Sequence, residues 1–313
     1  MKRLWLVLVM LASCGSALPR VEPGAQEGKG AARAERPAAR IDSAQMLADV
    51  RVLAGDAMEG RGAGTPGGAR ARAYVAERFA QVGLKPLGPV FEQPFTLRGR
   101  KEQGANVVGF VEGAKQPARL VVVTAHYDHL GVKGGQIYNG ADDNASGTAA
   151  LLQLAAHFAR ERPAHTLVFA ALDAEEEGLQ GASALVAALK RERRGVALNV
   201  NLDMVGHSER GELYAAGAHH TPALKAHLER VAASARVKLL LGHDRPELGT
   251  NDWTRQSDHF AFHREKIPFV YFGVEDHKDY HRPSDDFETL TPDFYAGAVE
   301  TILDALKALD AGI

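Results

Sequence analysis

From residue 41 onward the chain alternates between two apolar patterns, one of helical and one of extended period. Ala71, Val75, Phe79 and Val82 recur at helical spacing behind Thr65-Pro66, and Gly83 supplies a stop, which predicts a helix between them. Asn106 to Val111 and Leu120 to Ala125 are short, valine-rich runs of the kind that suits strands covered on both faces. A helix is expected from about Ser146 to Arg160, with Leu151, Leu152, Ala155 and Phe158 on its apolar side. Then come a strand (Thr166 to Leu172), a helix (about Leu179 to Arg193) and another strand (Leu198 to Leu202). Ile267 to Phe272 reads as a strand, and Pro292 to Leu309 as a closing helix with Ala296, Val299, Ile302, Leu303 and Leu306 inward. This alternation predicts an α/β three-layer sandwich, with a mostly parallel (mixed) central sheet and helices on both faces. Such sheets bind ligands beyond the C-terminal ends of their strands.

The segment ahead of this domain has a different character. Residues 1–14 read MKRLWLVLVMLASC, with Lys2 and Arg3 in front of a short apolar core, Leu4 to Leu11. That core is far below the roughly 20 residues needed to span a bilayer, so it reads as a signal peptide. Leu11-Ala12-Ser13-Cys14 resembles the lipobox of bacterial lipoproteins, which implies a lipid anchor on Cys14 and a place in the cell envelope, periplasmic or on the outer surface. Residues 15–40 have almost no large apolar side chains and read as a flexible tether. Residues 41–313 then form a single domain, with no internal repeat or second linker.

Composition narrows the chemistry. With 37 basic against 39 acidic residues and a net charge of −2, the chain lacks a phosphate-tracking balance, and nucleic acid is not expected as a partner. The single cysteine, Cys14, excludes an internal disulfide and a cysteine-built zinc site. A metal would have to be held by His, Asp and Glu.

Four motifs offer such ligands. His126 directly follows a predicted strand, and Asp128, two residues on, is a candidate to orient its ring. Asn139-Gly140-Ala141-Asp142-Asp143-Asn144-Ala145-Ser146-Gly147 reads by itself as a loop, in which Asn144 or Ser146 caps the next helix. Glu175-Glu176-Glu177 lies just past the strand Thr166 to Leu172, and Asp203 repeats the arrangement at the end of the next strand. Clustered carboxylates at buried strand ends are tolerable when a cation neutralises them. Asp279-Tyr280-His281-Arg282-Pro283-Ser284-Asp285 adds a second histidine, with Asp285 as a possible orienting group.

Taken in order across roughly residues 45–310, these motifs resemble the co-catalytic zinc aminopeptidase family. Its relatives include secreted bacterial leucyl-type aminopeptidases, glutamate carboxypeptidases and glutaminyl cyclases. The opening Leu53-Ala54-Gly55-Asp56-Ala57-Met58-Glu59-Gly60-Arg61 and Ser257-Asp258-His259 belong to the same resemblance. It implies two zinc ions per chain. His126 and Asp203 would hold one, Glu176 and His281 the other, and Asp143 rather than Asp142 would bridge them. Glu175 would be the general base, Asp128 would orient His126, and Tyr280 would assist the oxyanion. Two such ions share a water and lower its pKa to about 7. In an extended backbone Glu175 would face away from the metal held by Glu176, leaving it free to move protons. The expected substrates are peptides with a free N-terminus. The rival readings are a mono-zinc acyltransferase like glutaminyl cyclase, a carboxypeptidase or dipeptidase using Arg255 or Arg282 on acidic substrates, and a non-catalytic binding module.

Overall fold

The valine-rich runs become the centre of one sheet. A computed structural model describes residues 40–313, so the expected signal segment 1–14 and, up to residue 39, the expected tether lie outside the described residues. The strands are β1 (Lys85–Pro86), β2 (Glu92–Thr96), β3 (Gln103–Val111), β4 (Gln116–His126), β5 (Gly131–Lys133), β6 (Gln136–Tyr138), β7 (His165–Leu172), β8 (Gly195–Leu202), β9 (Glu212–Ala216), β10 (Lys238–Leu241) and β11 (Phe269–Gly273). The helices are α1 (Ser43–Leu53), α2 (Pro66–Gln81), α3 (Gly147–Arg160), α4 (Gln180–Arg191), α5 (Lys225–Ala232), α6 (His259–His263) and α7 (Pro292–Gly312). Nine strands form a sheet ordered β1-β3-β7-β4-β8-β11-β9-β10, with β2 on β3, while β5 and β6 make a separate ribbon.

The expected sandwich is present, and its sheet is mixed. Strands β7, β4, β8 and β11 run parallel, and β3 and β9 pair antiparallel to their neighbours β7 and β11. The reversals follow from connection length. Residues 203–211 join β8 to β9 without a helix, too short a path for the crossover that a parallel return requires. Side chains alternate between the two faces. Val121, Val123 and Ala125 of β4 pack with α1, α2, α3 and α7, whereas Leu120 and Val122 pack with α4 and α6.

Register places the chemistry. His126 pairs with Leu172, Thr124 with Asn201, and Leu202 with Phe272. The chain segments that follow β4, β7, β8 and β11 therefore leave the sheet at the same C-terminal edge.

One buried cation organises that edge. Arg61, fully buried, donates to the carbonyl oxygens of Tyr127 (2.8 Å), Leu53 (2.7 Å), Asn139 (2.5 Å) and Gly140 (2.8 Å). Its guanidinium thus ties the end of α1, the segment after β4 and the turn that enters Asp142-Asp143. Burial lowers its pKa to about 10, against the pull of Asp285 and Asp143, so it stays charged at neutral pH. Arg61→Met should leave these carbonyls without donors and lower stability by roughly 3 kcal/mol or more. A urea titration checks this through the unfolding midpoint.

Candidate metal centre

The five ligand-type residues expected from sequence converge, although they span positions 126 to 281. His126 Nε2 stands 3.2 Å from Asp203 Oδ1 and 3.4 Å from Asp143 Oδ1. His281 Nε2 stands 3.1 Å from Asp143 Oδ2 and 3.3 Å from Glu176 Oε2. The two oxygens of Asp143 therefore face two different histidines. Donor atoms of His126, Glu175 and Asp203 lie within 4.8 Å of one another, and so do those of His129, Asp143 and Glu176.

The local backbone is bent to make this possible. Ala174, Met204 and His281 hold positive φ values of 57°, 55° and 55°. Two of them flank candidate ligands or the candidate base and the third is itself a candidate ligand, so conformational strain is concentrated at the site. The segment carrying Glu175 and Glu176 is a turn, closed by Gly178 N–H donating to Glu175 O at 2.9 Å, and not the extended backbone considered from sequence. Its curvature still separates the two carboxylates, sending Glu175 toward His126 and Glu176 toward His281. Ser146 occupies the N-cap position of α3 without a side-chain cap hydrogen bond; Asn144 accepts from Gly147 N–H at 2.8 Å and donates to Leu202 O at the end of β8. Asp142 faces away from the ligand cluster, accepting from Gly206 N–H at 2.7 Å, with His277 Nε2 at 3.3 Å.

The two residues considered for orienting roles are placed differently: Asp285 serves another group, while Asp128 stands against the His126 ring. Asp285 does not touch His281: its carboxylate accepts the backbone N–H groups of Asp142 (3.0 Å) and Asp143 (3.1 Å), so it fixes the loop that aims Asp143. A carboxylate has a stronger claim on two convergent N–H groups than on a half-exposed imidazole. The His126 ring is held chiefly by the main chain, with Nδ1 at 3.1 Å from Asp128 O and 3.7 Å from Asp128 Oδ1. The Asp128 carboxylate accepts Glu175 N–H at 3.1 Å and so positions the candidate base. Tyr280 stacks on the His281 ring with centroids 3.9 Å apart.

His129 also belongs to the cluster. Its ring is buried, with Nδ1 at 2.7 Å from Glu176 Oε1 and 3.8 Å from Asp143 Oδ2. Despite that approach, His129 Nδ1 and Glu176 Oε1 form no hydrogen bond of proper geometry, and both atoms are buried. Gly140, at φ 55°, is what admits the ring, since a Cβ there would fall 2.5 Å from it. A single glycine is too slight a signal to have revealed this from sequence.

Charge at the site is unbalanced toward the negative. Burial, and then Glu176, raise Asp143; burial raises Glu175 far above the usual carboxylate range, partly offset by His126. Burial would also raise Glu176, but His129 and His281 overcome it and hold that carboxyl below the ordinary range. Burial should lower the histidines, yet Asp203 and Glu175 pull His126 well above its normal value, and Asp143 and Glu176 pull His281 up to about 10. The surrounding carboxylates thus draw His126 and His281 toward their cationic forms, so the cluster favours positive charge. That demand for positive charge, together with close donor atoms that fail to hydrogen-bond, fits a His/carboxylate metal centre, of a kind that suits zinc, cobalt or manganese.

The cluster opens into a cavity of about 730 Å³ lined by His126, Asp143, Glu175, Glu176, Asp203, Tyr280 and His281. Arg255 also lines it, and Arg282 does not.

Comparison with known proteins sets this geometry in context. The profile of Peptidase family M28 matches residues 106–306. A probable zinc metalloprotease of Leptosphaeria maculans is 41% identical over 114 residues, covering 34% of this chain and 26% of that protein. Aminopeptidase YwaD of Bacillus subtilis is 30% identical over 233 residues, covering 67% of this chain and 48% of its own length. The chain thus spans between a quarter and a half of these relatives. Among solved structures, a glutaminyl cyclase of Bacteroides thetaiotaomicron superposes with a TM-score of 0.68 at 17% identity, covering 85% of this chain and 98% of that one, which reports the fold alone.

Asp258 supplies a test of the charge imbalance. It is fully buried, both its oxygens lack hydrogen-bond partners, and burial, opposed by His126 but reinforced by Asp128 and Asp203, pushes it up to about 8. Its unfolded value is near 4, so the folded form binds the proton more tightly, and stability falls as pH rises from about 4 through about 8. In chelator-treated protein, Asp258→Asn should therefore lose less melting temperature than the parent between these limits. Parallel melting curves across pH would contradict it.

Proposed function

The chain belongs to peptidase family M28, and from that premise we propose that it is a zinc-dependent aminopeptidase removing residues from the free N-termini of peptides. The observation that carries this reading is Asp143, whose two oxygens face His126 and His281 separately. His126, Asp143 and Asp203 would hold one zinc, and Asp143, Glu176 and His281 the other. Zinc in such a centre polarises a carbonyl and lowers the pKa of water.

The chain's own groups supply the remaining chemistry. Glu175 lies beside that centre, with its carboxyl raised by burial, so its basicity is well above that of a surface glutamate. It takes a proton at its carboxylate and returns it to the leaving amine. The Asp128 carboxylate holds Glu175 in place through the main chain. Burial, followed by Asp143 and Asp203, keeps the Tyr280 phenol protonated, so its hydroxyl is a donor for developing negative charge on a substrate oxygen. Cavity carboxylates favour a substrate ammonium. Two zinc ions distinguish this reading from a mono-zinc acyltransferase, and the presence of every expected ligand disfavours a purely binding role. Export and a lipid anchor at Cys14 are part of the same proposal and rest on the sequence of residues 1–14.

Glu175→Gln should keep its metal and lose roughly 10²–10⁴-fold in turnover, measured on leucine anilide with metal analysis alongside. The N-acetylated anilide should resist the parent enzyme, and equal cleavage of both would end the exopeptidase reading. His129→Ala should weaken one of two zinc affinities by about 10–100-fold, read by competition against a fluorescent chelator.

A further inference from the structure

Beyond the metal cluster, the same cavity carries a second charge system that the hydrolytic chemistry leaves unused. Arg98, Arg255 and Arg264 line it together with the candidate ligands. Acids close to them in sequence are engaged elsewhere: Glu102 pairs with Arg100, Glu265 with Lys190, and Asp252 accepts from Thr254 N–H. Among the described residues, none of the three arginines has a carboxylate within ion-pair distance. Arg264 instead donates to the neutral Ser183 Oγ at 3.2 Å.

The three side chains are mounted rather than scattered. Arg255 and Arg264 each place their guanidinium 5.4 Å from the Phe260 ring centre, and Phe260 also lines the cavity. An aromatic face steadies a planar cation while leaving its N–H edge free. Arg98 comes from a different element, the segment after β2. Its backbone N–H donates to Gln180 Oε1 at 2.7 Å, and Leu97 before it is fully buried. Besides Asp143, Glu175, Glu176 and Asp203, one further acid, Asp276, lines the cavity. With two dications bound, five carboxylates and three guanidiniums would leave the cavity with two positive charges.

We propose that Arg98, Arg255 and Arg264 select peptides carrying a carboxylate close to the scissile bond. This rests on the aminopeptidase reading and adds a substrate class to it. Guanidinium forks match carboxylates in paired hydrogen bonds, and the cavity lies within the roughly 300–1,000 Å³ range of small-ligand sites. The carboxylate has two possible sources: the side chain of an N-terminal Asp or Glu, or the C-terminus of a dipeptide. The arginines are exposed, so each contributes only a few-fold and salt weakens it.

The experiment uses the zinc-loaded full chain and four substrates in two pairs: glutamyl against glutaminyl anilide, and leucyl-glycine against its amide. In at least one pair the acid should exceed its neutral partner in kcat/KM by on the order of tenfold, and that pair names the source. The ratio should collapse toward unity in R98Q/R255Q/R264Q and in about 0.5 M salt. Ratios near unity in both pairs for the parent, or a ratio untouched by the triple substitution, would overturn the selection while leaving aminopeptidase action standing. Failure to cleave any of the four substrates would overturn the aminopeptidase reading itself.

Discussion

Excess negative charge at one edge of a sheet is the constraint on which the rest of this structure depends. Asp128, Asp142, Asp143, Asp203, Asp258 and Asp285 are all buried there, with Glu175 and Glu176 partly buried beside them. Charges a few ångströms apart in a poorly solvated place repel strongly. The fold answers piece by piece. Asp285 is met by two backbone N–H groups, Asp142 by Gly206 N–H and His277, and Arg61 adds a buried cation behind the loop. Among the described residues, Asp143, Glu176 and Asp203 are faced by His126, His129 and His281. These carboxylates are the part that the protein alone leaves unbalanced, and that residue of charge is what a pair of dications would neutralise.

Parallel strands make the crowding unavoidable and useful. Because β4, β7 and β8 run the same way and are in register, whatever follows each of them emerges at one edge. Candidate ligands distant in sequence become neighbours without any long loop reaching across the sheet. The positive φ values at Ala174, Met204 and His281 mark where the chain turns sharply to keep those side chains over the edge.

What could be read from sequence follows the same physics. Strands buried on both faces announce themselves as valine runs, so β3, β4, β7 and β8 were legible, as were α2, α4 and α7 with their apolar stripes and α3, which is buried nearly all round. Strands β9 and β10 were not, because they are short, lie at or beside the sheet's edge and keep several side chains partly exposed. Helix α5 has eight residues and only Leu228 and Val231 buried, too few for a period. Within the site, the candidate ligands adjoining strand ends could be picked out, because a strand end fixes where a side chain goes. Roles set by loop geometry were hidden: Asp285 serves N–H groups more than 140 positions away in sequence, and His129 depends on Arg61 and Gly140 to bring its loop home.

The two charge systems of the cavity differ in how they can change. The carboxylates and histidines are tied into main-chain hydrogen bonds, and Asp128, Asp142 and Asp285 each brace a neighbour, so altering one disturbs several. The arginines rest on a ring, a hydroxyl and a short segment that touch none of those braces. Exposed charges interact weakly and singly, whereas buried ones act as a network. Under the proposed selection, exchanging the exposed Arg98, Arg255 and Arg264 would change which substrates are preferred, while the buried network of the candidate metal centre stays as it is.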